Sequence, residues 1–157
     1  MIVSKEHSLG FWCARIRQQY FDLLSERLRH LGLERGYFTL LLIVENDGRV
    51  SQQELADALH MDKVAMARSI DHLCERGYVQ RSTCPEDRRK HHLTLMPKAI
   101  PAAKEIKLAY AALDRLAFKD LNTQDRGHMF RSLRGALDNL HRGSVRTASK
   151  TKKQRTT

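Results

Sequence analysis

Three consecutive cationic residues, Arg88, Arg89 and Lys90, lie in a polar segment between two stretches of β-forming residues. The stretches are residues 78–83 and 92–95, and their composition predicts two strands joined as a hairpin. Arginine and lysine side chains donate hydrogen bonds to phosphate oxygens and neutralise the phosphate charge. A hairpin with such a tip is therefore suited to bind a polyanion.

The segment before the hairpin carries two helix-start signals. Ser51-Gln52-Gln53-Glu54 is a capping box, in which the serine and glutamate side chains bond each other's backbone amides. Asp62 is a second N-cap residue, and the helix after it is expected to stop at Gly77. The apolar spacing predicts that the inner face of this second helix consists of Val64, Ala67, Ile70, Leu73 and Cys74. Two short helices followed by a hairpin predict a winged helix-turn-helix, whose second helix enters the major groove of DNA.

Long amphipathic helices are predicted on both sides of this motif. Apolar residues recur at helical spacing over residues 11–31, over residues 100–117 and in a final helix capped near Asn122 or Thr123. This apolar surface exceeds what a small DNA-reading domain can cover, so it predicts packing against a second copy of the chain. The fold class is mainly α with a small β-hairpin wing. The predicted parts are an N-terminal dimerisation helix, a winged helix-turn-helix, C-terminal dimerisation helices and a disordered basic tail, in residues 1–35, 36–96, 97–141 and 142–157.

The charge balance also favours a polyanionic partner. The 157 residues include 28 Lys and Arg against 18 Asp and Glu, which gives a formal charge of +10. From Arg142 onward there are cations and no acids, so the tail either solubilises the chain or adds a nonspecific hold on phosphates. The longest apolar run, residues 40–44, is far below the ~20 residues that cross a bilayer. We expect a cytoplasmic, nucleoid-associated protein with no membrane partner.

Catalytic and metal-binding patterns are weak in this sequence. It has no Gly-x-x-x-x-Gly-Lys loop, no Gly-x-Ser-x-Gly elbow and no His-Glu-x-x-His helix. We therefore expect no enzyme activity, no catalytic residue and no cofactor. His91 and His92 lie near Cys84 and Asp87, but adjacent strand residues point to opposite faces, so no metal site is expected.

The wing segment has a specific motif, an Asp-x-Arg sequence at residues 87–89 followed by Leu93-Thr94. Around it, the motif Thr83-Cys84 precedes the wing and Pro97-Lys98-Ala99 follows it. With these motifs, the sequence from about Leu9 to Leu140 resembles the MarR/SlyA family of bacterial transcriptional regulators, and the flanks of the wing look closest to the SlyA branch. Further positions similar to the family are Arg68, Leu73, Glu75, Gly77, Tyr78, Val79 and Arg81.

The resemblance implies a dimeric winged-helix regulator that binds a pseudo-palindromic operator in double-stranded DNA. Arg68 would reach a base edge or a phosphate, Lys63 would face the backbone, and Arg88 would enter the minor groove. Asp87 would brace the wing through a salt bridge to an arginine. The expected DNA contacts are Ser51, Gln52, Lys63, Ala65, Met66, Arg68, Arg88, Arg89 and Lys90.

The recognition helix departs from the family in its polarity. Val64, Ala65 and Ala67 stand where relatives commonly have serine and threonine, so hydroxyl donors to bases and phosphates are missing. Direct readout would then include apolar contact of Ala65 or Met66 with thymine methyl groups.

The resemblance also implies a small aromatic or anionic effector, bound between the dimerisation helices and the DNA-reading domain. Trp12, Arg15, Tyr37 and Phe38 are the candidate ligand-binding residues, although helical spacing alone makes Trp12 and Phe38 core residues. Some relatives sense oxidants through a cysteine in the first helix. Cys13 lies in that helix, but its position does not match the sensing cysteine, which favours a structural role.

Two alternatives from other functional classes remain open at this point. An architectural DNA binder, held by the wing and tail charges, would show little sequence preference. A protein-interaction module with the same fold would have lost DNA binding altogether.

Overall fold

The computed structural model describes residues 7–33, 36–83 and 91–153. The chain divides into two compact units, with the boundary between Asp114 and Arg115. The elements of the described residues, in chain order, are α1 (Leu9–Arg27), a 3₁₀ turn (Arg29–Leu31), α2 (Tyr37–Glu45), α3 (Gln52–Ala58), α4 (Lys63–Glu75), β1 (Val79–Thr83), β2 (His91–Leu95), α5 (Ala99–Ala117) and α6 (Thr123–Lys153).

The helix starts follow from local side-chain chemistry. Ser51 and Glu54 form the predicted capping box at α3, with Glu54 N donating to Ser51 Oγ at 3.2 Å and Ser51 N to Glu54 Oε2 at 2.7 Å. Asp62 caps α4, because its Oδ1 accepts from Ala65 N at 2.8 Å. Both predicted starts of the helix-turn-helix are confirmed.

The wing strands pair as an antiparallel hairpin, in the register from Val79 opposite Leu95 to Thr83 opposite His91. A mainly helical chain with one such hairpin confirms the predicted fold class. The turn between α2 and α3 runs close against β2, since a Cβ at Gly48 would lie 2.1 Å from the Leu93 carbonyl oxygen. Gly48 also has a φ of +73°, a conformation that glycine adopts without strain.

The rotational position of α4 differs from the sequence prediction. Met66, Ile70 and Leu73 are buried in the core, whereas Val64, predicted on the inner face, is 61% exposed. The inner face also includes Ser69, whose Oγ lies 2.8 Å from Thr39 Oγ1 on α2. Because this hydrogen bond satisfies two buried hydroxyl groups, a polar residue occupies a core position that the apolar pattern overlooks.

Two hydrogen bonds join α4 and the start of the wing to the segment that follows α1. His72 Nε2 on α4 donates to the Gly32 carbonyl at 3.0 Å. The Tyr78 hydroxyl donates to the Leu31 carbonyl at 2.8 Å. The end of the N-terminal helical region is therefore fixed to both α4 and the start of the wing.

The second unit contains α6, which begins where the sequence predicts. Asn122 Oδ1 accepts from Asp125 N at 2.9 Å and caps the helix. The helical backbone continues to Lys153, through most of the segment whose composition predicts disorder. Residues 144–153 contain no proline or glycine, so nothing in their backbone chemistry interrupts a helix.

Within the described residues, no helix combines the length and the apolar character that a membrane crossing requires.

Candidate nucleic-acid interface

The outer face of α4 carries the residues predicted to read DNA. Lys63 is the first residue of the helix, and it and Arg68 are exposed. Neither side chain forms an ion pair with another residue of the described chain. Ala65 is half-buried. The exposed row of this helix thus offers two unneutralised cations and the branched side chain of Val64.

Met66 does not belong to this face. Its side chain is 0% exposed, so the predicted contact between Met66 and a thymine methyl is wrong. The reason is the register of α4, in which Met66 lies one turn before Ile70 and packs into the same core. The apolar side chain that points outward near the start of the helix is Val64.

The first helix of the motif positions the second. Ser51 is exposed, but its Oγ is already engaged in the capping box. Gln52 is half-buried, and its Nε2 donates to the Lys63 carbonyl at 3.3 Å. Gln52 therefore connects α3 to the first residue of α4. The sequence predicted a DNA contact for Gln52 but not this structural role. The hydrogen bonds from Ser51 lower the pKa of Glu54 below its ordinary value.

The base of the wing is braced onto the recognition helix by an ion pair. The Arg81 guanidinium on β1 donates to the Asp71 carboxylate on α4, and a second nitrogen lies 3.4 Å from the Ala67 carbonyl. Sequence reasoning missed this pair, because its members are ten residues apart across the turn between two elements. Because the Asp71 side chain is about half exposed, the ion pair also neutralises a negative charge close to the exposed row of Lys63, Val64 and Arg68.

The tip of the wing lies outside the described residues. This applies to Asp87, Arg88, Arg89 and Lys90, so their DNA contacts and the bracing role of Asp87 stay predictions. Cys84 lies outside as well. In the described part of the chain, no cluster of His, Cys, Asp and Glu side chains is arranged to hold a metal ion.

A cavity of about 170 Å³ lies between the DNA-reading motif and the flanking helices. Two of the four predicted ligand-binding residues, Tyr37 and Phe38, line it, whereas Trp12 and Arg15 do not. Trp12 instead packs edge-to-face against Phe11, with ring centroids 5.6 Å apart, and is 49% exposed. The complete lining is Phe21, Tyr37, Phe38, Thr39, Leu59, Met61 and Tyr110.

Sequence reasoning missed most of this lining, because it comes from four separate parts of the chain. Tyr110 on α5 is central to it, with its ring 4.7 Å from Phe38 and 6.0 Å from Tyr20 between centroids. The Tyr110 hydroxyl is buried and has no hydrogen-bond partner within the described residues. Burial raises its pKa further above the ordinary value. A tyrosine hydroxyl is protonated at neutral pH, so this group can donate. The Tyr20 hydroxyl, in contrast, donates to Asp114 at 2.8 Å.

A capped recognition helix with exposed cations, a helix before it and a hairpin braced against it define a winged helix-turn-helix DNA-binding protein. Residues 33–91, which include α2, α3, α4 and β1, match the model of the MarR family. This match confirms the resemblance to the family of transcriptional regulators that the sequence indicated.

Individual relatives agree with this family. A transcriptional regulatory protein assigned to the hcr operon of Thauera aromatica is 29% identical over 116 residues, which are 74% of this chain and 68% of that protein. A transcriptional regulator from Pseudomonas aeruginosa has a similar crystal structure, with a TM-score of 0.69 and 25% identity, covering 87% of this chain and 99% of that one. BpsR of Bordetella bronchiseptica, whose DNA binding is regulated by 6-hydroxynicotinic acid, shares the fold, with a TM-score of 0.72 and 23% identity over 84% of this chain and 94% of that one.

Proposed function

We propose that the protein is a MarR-family transcriptional regulator. It binds a pseudo-palindromic operator in double-stranded DNA as a homodimer, with α4 of each protomer in the major groove. The observation that carries the proposal is the exposed row of α4, where Lys63, Val64 and Arg68 point away from the core. Residues near the N-terminus of a recognition helix are those that contact base edges. The place of action is the nucleoid, where such DNA lies.

The two cations have different roles in this proposal. Lys63 opens the helix beside the turn, at a position suited to bind a phosphate and fix the protein on the duplex. Arg68 lies more than one turn further along α4 and can present its planar fork to O6 and N7 of guanine. Lys63 thus contributes affinity, whereas Arg68 contributes discrimination between bases.

The exposed apolar residues of the flanking helices support a homodimer. Leu9, Trp12 and Ile16 are all about half-exposed or more on α1. On α6, the exposed apolar residues are Phe130, Leu133, Leu137 and Leu140. Several exposed apolar residues on one helix are typical of an association site in a folded protein. A two-fold symmetric dimer places its recognition helices about one helical turn, ~10 bp, apart.

An aromatic effector fits the cavity better than a purely anionic one. Every lining residue is apolar, aromatic or neutral, and Arg15, the cation predicted for an anion, is not among them. The buried Tyr110 hydroxyl would donate to a polar group on the aromatic ring. BpsR supports this class of ligand, because an aromatic acid regulates its DNA binding. Such a ligand weakens DNA binding only if it prefers a conformation that binds the operator poorly.

The testing experiment selects the preferred duplex from a randomised pool and then measures its affinity against a scrambled duplex over a range of salt concentrations. We expect a preference of several hundredfold at moderate salt. Arg68→Ala is expected to weaken operator binding by about tenfold or more, which follows from losing a bidentate base contact. The matched control is Arg29→Ala, which removes the same charge from an exposed site outside the winged helix.

Equal affinity for both duplexes with a steep salt dependence would contradict the proposal and favour an architectural DNA binder. No measurable binding to either duplex would favour the protein-interaction module.

A further inference from the structure

Val64 is an exposed aliphatic residue at a position where it does not stabilise the helix. It is the second residue of α4 and is 61% exposed. β-branched residues are weaker helix formers than alanine, because the helix restricts their side-chain rotamers. A single exposed apolar residue is ordinary on a protein surface. What distinguishes Val64 is its place between Lys63 and Arg68 on the row that the proposed function directs to DNA.

The orientation of Val64 is fixed by contacts on the other side of α4. Met66 and Ile70 are buried in the core, and the buried hydroxyl of Ser69 is bonded to Thr39. The start of the helix is held separately, since the Lys63 carbonyl accepts from Gln52. The helix therefore cannot turn Val64 inward without exposing Met66 and breaking the buried hydroxyl pair.

The chemistry of the major groove gives an aliphatic side chain one natural partner. Thymine presents a C5 methyl group there, while the other bases present hydrogen-bond donors and acceptors in patterns that a valine cannot satisfy. Since Val64 has no polar atom in its side chain, it can distinguish bases only through this methyl group.

We propose that Val64 is a specificity-determining residue, which packs its methyl groups against the C5 methyl of one thymine in each operator half-site. This inference rests on the proposed function, because it requires α4 to lie in the major groove of a specific site. The sequence assigned this contact to Ala65 or Met66, but Met66 is buried and Ala65 is half-buried, whereas Val64 is exposed.

The test is a double-mutant cycle, in which the Val64 methyl groups are removed from the protein and the C5 methyl group of one thymine is removed from the DNA. After the operator has been selected, each thymine of a half-site is replaced in turn by deoxyuridine, which lacks only the C5 methyl. At one position in each half-site, the full-length wild-type protein is expected to lose about fourfold in affinity, the effect of one buried methyl group. Val64→Ala is expected to bind the thymine duplex more weakly and to bind the thymine and deoxyuridine duplexes at that position equally.

Lys63→Ala is the matched control, since it changes the neighbouring residue but not the apolar contact. This variant is expected to bind both duplexes more weakly by the same factor and to keep the fourfold effect of the DNA methyl. It is also expected to reduce the salt slope by about 2, one phosphate contact for each protomer of the dimer. Circular dichroism and gel filtration of each variant check that the fold and the oligomeric state are those of the wild type.

A deoxyuridine effect that persists in full in Val64→Ala, or that is absent at every thymine in the wild type, would overturn the assignment of Val64 and leave the proposed function intact. Selection that yields no preferred sequence would instead overturn the proposed function, and this inference with it.

Discussion

The buried hydroxyl pair between α2 and α4 gives a sharp test of how the recognition helix is held. Thr39 and Ser69 are 1% and 7% exposed, and their hydroxyl oxygens are 2.8 Å apart. Thr39→Val keeps the shape of the side chain but removes its hydroxyl group, which leaves the Ser69 hydroxyl buried without this partner. An unsatisfied buried hydroxyl costs about 1–3 kcal/mol, whereas removing both partners together is close to neutral.

We therefore expect Thr39→Val and Ser69→Ala each to lower the free energy of unfolding by about 1–3 kcal/mol, and the double variant to lower it by less than the sum. The expected coupling between the two sites is about 1–2 kcal/mol, within the range found for residues in direct contact. Urea denaturation measures these values, at one protein concentration throughout because association shifts apparent stability. Thr94→Val is the matched control, since Thr94 is exposed on β2 and its change is expected to stay within about 0.5 kcal/mol.

Additivity of the two single variants within about 0.5 kcal/mol would refute this reasoning, because independent sites behave in that way. So would a Thr39→Val variant as stable as the wild type.

Two other expectations concern the turn before α3 and the capping box at the start of α3. Gly48→Ala is expected to destabilise the protein by about 1–3 kcal/mol, because its Cβ would lie 2.1 Å from the Leu93 carbonyl oxygen at a φ of +73°; an unchanged melting temperature would contradict this. Because the pKa of Glu54 is lowered in the folded protein, its carboxylate contributes stability that is present above the unfolded pKa and lost as the pH falls through the folded value. Urea denaturation at pH 7 and below about pH 4 is therefore expected to show a stability gap between wild type and Glu54→Gln that closes in acid, and a gap independent of pH would argue against it.

Local chemistry made the helix starts predictable. Ser51 and Asp62 cap their helices through atoms only three residues away, so the sequence contains all the information that these contacts need. The rotation of α4 was not predictable in the same way, because it depends on which side chains find partners in α2. Ser69 is polar and was left out of the predicted inner face, but Thr39 lies opposite it and makes burial acceptable.

The lining of the candidate ligand cavity was also only partly predictable, because its residues come from distant parts of the sequence. Tyr37 and Phe38 were found because they are aromatic residues next to the DNA-reading motif. Phe21 and Tyr110 join them from helices far apart in the sequence, and neither helical spacing nor residue type in a single sequence reports that meeting. Trp12 and Arg15 were expected at the cavity from their place on α1, but the face of the helix that packs inward is a different one.

The hydrogen bonds from His72 and Tyr78 to the carbonyls of Gly32 and Leu31 connect residues that are 40 and 47 positions apart in the sequence. These bonds couple the N-terminal helical region to α4 and to the start of the wing through the carbonyl oxygens of Gly32 and Leu31. The two regions are therefore expected to move together. In the proposed two-fold dimer, the distance between the two copies of α4 then depends on the geometry of these two hydrogen bonds. In the proposed homodimer, substitutions around Leu31 are therefore expected to change the half-site spacing that the protein accepts, although Leu31 itself is not on the face proposed to contact DNA.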